Sequence, residues 1–143
     1  MNTPPILLIV EDEVLPAISL EEGFKDAGYQ VMDLTSRPQE ALRAARDTKP
    51  DLALVNIVLQ GRDDGIALAR DFHALGIPVL FISGQVSRDL SALTVAIGSL
   101  PKPYSVDDMI QAVAYLLARL GGDGTKSCPP ALQVFDEELP KVA

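Results

Sequence analysis

The residues of this sequence best suited to chemistry are polar side chains placed just after apolar segments. Glu11 and Asp12 directly follow the apolar run Ile6–Val10. Adjacent carboxylates suit a hard divalent cation such as Mg²⁺, which prefers oxygen ligands. Acids after a buried strand also serve as a simple polar cap, and the pair alone does not choose between a metal site and a cap.

Two further polar residues follow later apolar segments. Ser83 is either a hydroxyl that bonds to the local backbone, as is common at strand ends, or a donor to a phosphoryl oxygen. Lys102 is either a solvated loop lysine or an ammonium that pairs with an acid or a phosphoryl group. Its neighbours Pro101 and Pro103 restrict the backbone that carries it, which favours the second role. The Lys102–Pro103 bond is a candidate for the cis form.

These residues need a scaffold, and the chain alternates apolar segments of strand length with amphipathic helical segments. Apolar strands are typical of a parallel sheet covered on both faces. The alternation predicts an α/β fold with a doubly wound, five-stranded parallel sheet and five helices. The predicted strands span residues 6–10, 29–34, 52–58, 78–83 and 96–100. Ligands of such sheets bind beyond the carboxyl ends of the strands, so the polar residues above, with Asn56, are expected to meet at one edge.

Two helix starts carry capping signals. Residues 36–39, Ser-Arg-Pro-Gln, resemble a capping box with proline in the first turn. Ser105 is the predicted N-cap of the last helix, with Asp107 and Asp108 in the first turn, where the helix dipole favours acids. A short helix is predicted within residues 87–95.

Composition and charge limit the function classes. Hydrophobic residues make up 48% of the chain, which excludes a disordered protein. The formal net charge of -8 offers no basic stripe for phosphates, so we expect no direct nucleic-acid binding. No apolar run reaches the length of a membrane span, and no signal peptide is recognisable, so we expect a cytoplasmic protein. Residues 1–122 form the predicted domain, and residues 123–143 form a mostly irregular tail.

Five segments together resemble the receiver domain of bacterial two-component response regulators. They are Ile-Val-Glu-Asp-Glu, Pro-Asp-Leu-Ala-Leu-Val-Asn, Asp-Asp-Gly, Phe-Ile-Ser-Gly and Leu-Pro-Lys-Pro-Tyr, in the family's order. The resemblance covers about residues 4–120 and implies a flavodoxin-like fold. It also implies a domain that takes a phosphoryl group from a histidine kinase or a phosphotransfer protein. Such a domain then changes the face formed by its fourth helix, fifth strand and fifth helix.

The resemblance implies a role for each polar residue at the sheet edge. Glu11 and Asp12 match the acidic pair that holds Mg²⁺. Val58 falls where a backbone carbonyl completes the metal site. Ser83 matches the Ser or Thr that reports phosphorylation, and Lys102 matches the lysine that contacts the phosphoryl group.

Asn56 is the main departure from the family, because it stands at the phosphoacceptor aspartate. A neutral amide is a poor nucleophile compared with a carboxylate, so we expect no phosphorylation at this position. Asn56 also removes one negative charge from the implied metal ligands, which weakens Mg²⁺ binding. The asparagine is either natural, which makes the chain a pseudo-receiver, or an introduced replacement for aspartate.

Two further departures concern the response to phosphorylation. Ser99 stands where many receivers carry an aromatic residue that rotates inward on activation. In this respect the chain resembles a subclass of stand-alone receivers that uses a different output surface. Gln60 stands where a proline is usual, which is expected to loosen the following loop.

Three hypotheses follow. The first is a single-domain phosphorelay receiver whose output is contact with a downstream protein, as a monomer or a homodimer. The second is a phosphorylation-independent pseudo-receiver that serves as an interaction module. The third, an enzyme on a doubly wound fold, has the least support, because no P-loop or Gly-x-Gly-x-x-Gly pattern follows a strand. We therefore expect that the chain is not an enzyme.

Overall fold

The computed structural model describes residues 3–59, 64–84 and 92–135 of the chain. Strands and helices alternate from β1 to α5, and a short strand follows α5. Their bounds are β1 Ile6–Val10, α1 Val14–Asp26, β2 Gln30–Val31, α2 Pro38–Asp47, β3 Leu52–Asn56, α3 Asp64–Ala74, β4 Val79–Ser83, α4 Ala92–Val95, β5 Gly98–Pro101, α5 Val106–Leu120 and β6 Gln133–Val134.

The sheet has the strand order β2-β1-β3-β4-β5-β6. The pairings from β2 to β5 are all parallel, which confirms the doubly wound α/β prediction. The prediction of five strands was wrong by one, because β6 pairs antiparallel with β5. This sixth strand lies in the segment predicted to be a mostly irregular tail, where two residues gave too short a pattern to be detected.

Two apolar cores cover the two faces of the sheet. Successive residues of a strand point to opposite faces, so Leu8 and Val10 join one core while Leu7 and Ile9 join the other. The first core is completed by α2 and α3 and the second by α1 and α5. Because both faces are covered, the central strands β1, β3 and β4 are apolar at every position except the last residues of β3 and β4, Asn56 and Ser83.

The two predicted helix caps had different outcomes. Ser105 caps α5 in a capping box, in which its side chain accepts from the Asp108 amide and the Asp108 carboxylate accepts from the Ser105 amide. The capping box predicted at Ser36 was wrong, because α2 begins at Pro38 and its N-cap is Arg37. Just before α2, the Arg37 amide donates to Thr35 Oγ1 at 3.3 Å. The hydroxyl that bonds to the backbone at this helix start is therefore that of Thr35.

Other differences lie at element ends. The second strand is confined to Gln30–Val31, although a bridge between Val10 and Thr35 continues the pairing with β1. The predicted helix at 87–95 is described only as the single turn Ala92–Val95. Its first residues, and Gln60, lie outside the described residues.

Candidate functional site

The predicted polar residues meet at the carboxyl edge of the parallel strands. Asn56 is the last residue of β3 and Ser83 the last of β4. Glu11 comes directly after β1, and Lys102 directly after β5. Neighbouring parallel strands end at the same edge, so residues far apart in sequence become neighbours here.

Asn56 links the two acids that follow β1. The side chain is buried, and its Nδ2 donates to Glu11 Oε1 at 2.9 Å and to Asp12 Oδ1 at 3.4 Å. Its Oδ1 accepts from the Val58 amide at 3.4 Å. The Asn56 amide nitrogen therefore donates hydrogen bonds to both neighbouring carboxylates. An ionised aspartate side chain has no donor and cannot make these bonds.

Glu11 is the most unusual acid of the site, because only 4% of the residue is exposed. Its Oε1 accepts from the Glu13 amide as well as from Asn56. Its Oε2 is buried and has no hydrogen-bond partner among the described residues. Burial raises the pKa of the Glu11 carboxyl, and the hydrogen bond from the Glu13 amide and the positive charge of Lys102 oppose that rise only in part.

Lys102 is held at the edge by its backbone and by a third acid. Its amide donates to the Ser83 carbonyl at 2.6 Å, and the Lys102–Pro103 bond is cis. Its Nζ lies 3.4 Å from Glu13 Oε1. Glu11, Asp12 and Glu13 all follow β1, and the sequence alone does not show which of the three acids reaches the lysine.

The remaining positions of the site differ in exposure. Ser83 is buried with 4% of its surface exposed, while Val58 is 46% exposed. Gly65, in the first turn of α3, donates from its amide to the Ile57 carbonyl at 3.0 Å. A Cβ atom at Gly65 would overlap the Asn56 carbonyl and lie 2.7 Å from Ile57 Cα. Glycine at this position thus lets α3 pack directly on the end of β3.

This fold and this edge match a known protein family. Residues 7–114 match the response regulator receiver domain. The chain belongs to that family. The receiver is 32% identical over 120 residues to the transcriptional regulatory protein PdtaR of Mycobacterium tuberculosis, covering 81% of this chain and 58% of that protein. It is 32% identical over 147 residues to the transcriptional regulatory protein BaeR of Escherichia coli, covering 99% of this chain and 57% of that protein. The receiver chain thus spans a little over half the length of these curated relatives.

Solved receiver structures share the same fold. A signal receiver domain of a modulated diguanylate cyclase from Desulfovibrio desulfuricans superposes with a TM-score of 0.71 at 33% identity, covering 80% of this chain and 94% of that one. A putative response regulator from Chloroflexus aurantiacus gives 0.71 at 28% identity, covering 81% and 99%. The CheY-like receiver from Methanospirillum hungatei has a TM-score of 0.73 at 24% identity, covering 80% and 94%, which supports the flavodoxin-like fold alone.

Receiver domains typically hold Mg²⁺ at this acidic edge, and the donors present are compatible with that ion. The unpartnered Glu11 Oε2 and the Asp12 carboxylate supply hard oxygen ligands. No cluster of three or more His, Cys, Asp or Glu residues suited to a metal is found in the described ranges. Two carboxylates are therefore available to such an ion at this edge, those of Glu11 and Asp12.

The site of this receiver is bordered by Tyr104, a partly buried residue. The Tyr104 hydroxyl is buried and has no hydrogen-bond partner within the described residues. Burial, with the negative charges of Glu11 and Glu13, raises the pKa of Tyr104 to about 12. The motif Leu-Pro-Lys-Pro-Tyr could have pointed to this residue, because its last position lies two residues after Lys102.

Ser99 lies away from the acidic edge, inside β5. It is 7% exposed, and its partner in the neighbouring strand is Gln133 of β6. The position that carries an aromatic residue in many receivers is therefore paired here with the short strand that follows α5. No helix in residues 3–59, 64–84 or 92–135 is long and apolar enough to cross a membrane.

Proposed function

We propose that this receiver acts in two-component signalling through protein–protein contact and does not accept a phosphoryl group at Asn56. The observation that carries the proposal is the hydrogen bonding of Asn56 Nδ2 to Glu11 and Asp12. These bonds neutralise none of the acidic charge, but they satisfy carboxylate oxygens that otherwise need a cation or water. The site is therefore organised around an amide, which is a poor nucleophile toward phosphorus.

The proposed docking surface for a kinase, a phosphotransfer protein or a downstream partner is the start of α1. Val14 and Leu15 are 68% and 78% exposed, and Ile18 is 39% exposed. A cleft of about 500 Å³ beside them is lined by Glu13, Lys102 and apolar side chains of α1 and the start of α5. Apolar side chains exposed next to a charged site are typical of a protein interface.

The proposal gives Mg²⁺ a secondary role. Glu11, Asp12, the Asn56 side-chain oxygen and the Val58 carbonyl would hold the ion, which would supply positive charge beside the edge. Because Asn56 contributes no charge, we propose weak binding. The chain is further proposed to be cytoplasmic, to bind no nucleic acid through these residues and to catalyse no turnover, with a homodimer as one mode of contact.

Partner binding tests the interaction proposal. Purified histidine kinases and phosphotransfer proteins of the source organism are titrated with the unmodified chain and with Asn56→Asp. A partner that binds both equally supports a phosphorylation-independent contact. Leu15→Asp should weaken that binding by about tenfold or more, as expected for an exposed apolar contact residue. Leu75→Asp, at a position 38% exposed beyond α3, is the matched control.

A second candidate function is a phosphorelay receiver in which Asn56 replaces an aspartate. Two features support this candidate: Ser83 is buried at the end of β4, and its carbonyl accepts from the Lys102 amide. These are the two residues that the family resemblance assigns to the phosphoryl group. Incubation with a labelled acyl-phosphate donor and Mg²⁺ distinguishes the candidates. Label on Asn56→Asp but not on the unmodified chain supports the second candidate, whereas no label on either contradicts it.

A further inference from the structure

The segment after α5 turns back to the edge of the sheet. In β6, Val134 lies opposite Gly98, and Gln133 lies opposite Ser99. The Phe135 amide also donates to the Ile97 carbonyl at 2.9 Å. An uncovered edge strand presents backbone groups to which any extended chain can pair. Strand β5 therefore provides an edge that this chain covers with its own tail.

Two apolar side chains hold the tail on opposite faces of the sheet. Leu132 is 7% exposed and packs in the core beneath α1 and α5, while Phe135 is 8% exposed and packs in the core beneath α3. They are three positions apart and flank the two paired residues. The two side chains thus anchor this short extended segment in the apolar cores on both faces of the sheet.

Gly98 shapes the edge for a closely placed strand. A Cβ atom at Gly98 would lie 2.8 Å from the Gln133 carbonyl oxygen and 3.5 Å from Leu132 Cδ1. The first distance is closer than a carbon and an oxygen can approach without a shift of the backbone. A side chain at this position would therefore move the paired strand away.

The connection between α5 and β6 is exposed and contains several glycines. Residues 121–128 are all exposed, and three of them are glycine. Glycine-rich exposed chain behaves as a flexible linker. A two-residue strand on such a linker belongs to the part of a protein that opens most readily.

We propose that the β5 edge is a binding site for an extended segment of another protein, and that residues 132–135 occupy this site intramolecularly. The external segment adds a strand antiparallel to β5 and carries apolar residues at its first and fourth positions, as the tail does. The tail competes with it at the high effective concentration that a short linker provides. This proposal does not depend on the role of Asn56.

Fluorescence anisotropy tests the proposal with a labelled peptide of the sequence of residues 130–137. The Leu132→Ser/Phe135→Ser variant of the full chain releases the tail, and it should bind the peptide at least about tenfold more tightly than the unmodified chain. Adding Gly98→Ala should remove that gain. Adding Gly121→Ala instead is the matched control, since its methyl group meets no atom nearer than 3.6 Å.

Equal binding by the unmodified chain and a folded double variant would overturn the proposal. Should the double variant not fold, amide hydrogen exchange of the unmodified chain decides. The Phe135 amide should then exchange at least about a hundredfold faster than amides of β3, and equal protection overturns the proposal. A dimer of the unmodified chain that the double variant lacks would show exchange of tails between copies, which contradicts intramolecular occupancy.

Discussion

Asn56→Asp is the substitution that probes the acidic edge most directly. Asn56 Nδ2 lies 2.9 Å from Glu11 Oε1 and 3.4 Å from Asp12 Oδ1. An aspartate in the same place removes both donors and brings a third carboxylate next to two others. At an effective dielectric constant of about 20, two unit charges at such distances repel by about 5 kcal/mol.

Protonation limits the loss of stability. One carboxyl of the three can take up a proton, which near neutral pH costs about 4 kcal/mol for a group with an ordinary pKa. Side-chain movement and water lower the repulsion further. We therefore expect Asn56→Asp to lower the free energy of unfolding by about 2–4 kcal/mol in a chelator at pH 7. Like-charge repulsion raises the native pKa of the cluster above the unfolded value. The deficit is thus largest at high pH and shrinks as the pH falls through the native pKa.

The assay is urea unfolding of the unmodified chain and the variant, with EDTA or with Mg²⁺. Mg²⁺ at about a hundred times its dissociation constant should restore about 2.7 kcal/mol to the variant and much less to the unmodified chain. Gln30→Glu adds the same charge at an exposed position and is the control. Equal stability of Asn56→Asp and the unmodified chain in EDTA, with no effect of Mg²⁺ on either, would refute the reasoning.

Three further predictions concern single positions. Glu11→Gln should reduce the pH dependence of the free energy of unfolding, measured by unfolding curves over a pH series. The pKa of Glu11 is raised in the native state, so its contribution to stability is favourable at low pH and is lost as the pH rises through the native pKa. Glu22→Gln on the exposed side of α1 is the control. Gly65→Ala should lower the free energy of unfolding by about 2 kcal/mol or more, since the methyl group meets the backbone of β3, whereas Gly121→Ala should change the melting temperature little. Tyr104→Phe removes a buried hydroxyl that has no hydrogen-bond partner among the described residues, and it should leave stability at pH 7 unchanged or raise it by up to about 1 kcal/mol. In that variant, the tyrosinate absorbance change expected at about pH 12 from Tyr104 should be missing, and its persistence would contradict the assignment.

Sequence alone determined the scaffold and the approximate site of this protein. Apolar runs such as Ile6–Val10 are readable because both faces of the sheet are covered, so every position of the strand obeys the same rule. The alternation of strands and helices then fixes which strand ends share an edge. For that reason the sequence predicts that Glu11, Asn56 and Lys102 lie at one edge of the sheet.

Only the tertiary structure decided how those side chains are paired. The direction of the Asn56 amide depends on carboxylates 44 and 45 positions away, and the choice of Glu13 by Lys102 depends on side-chain reach across the sheet edge. Neither choice leaves a local pattern in the sequence. The same holds for β6, since two residues carry no readable periodicity and become a strand only because β5 offers them an edge. Each of these features is stabilised by contacts between segments that are distant in sequence, so no short stretch of the chain reveals it.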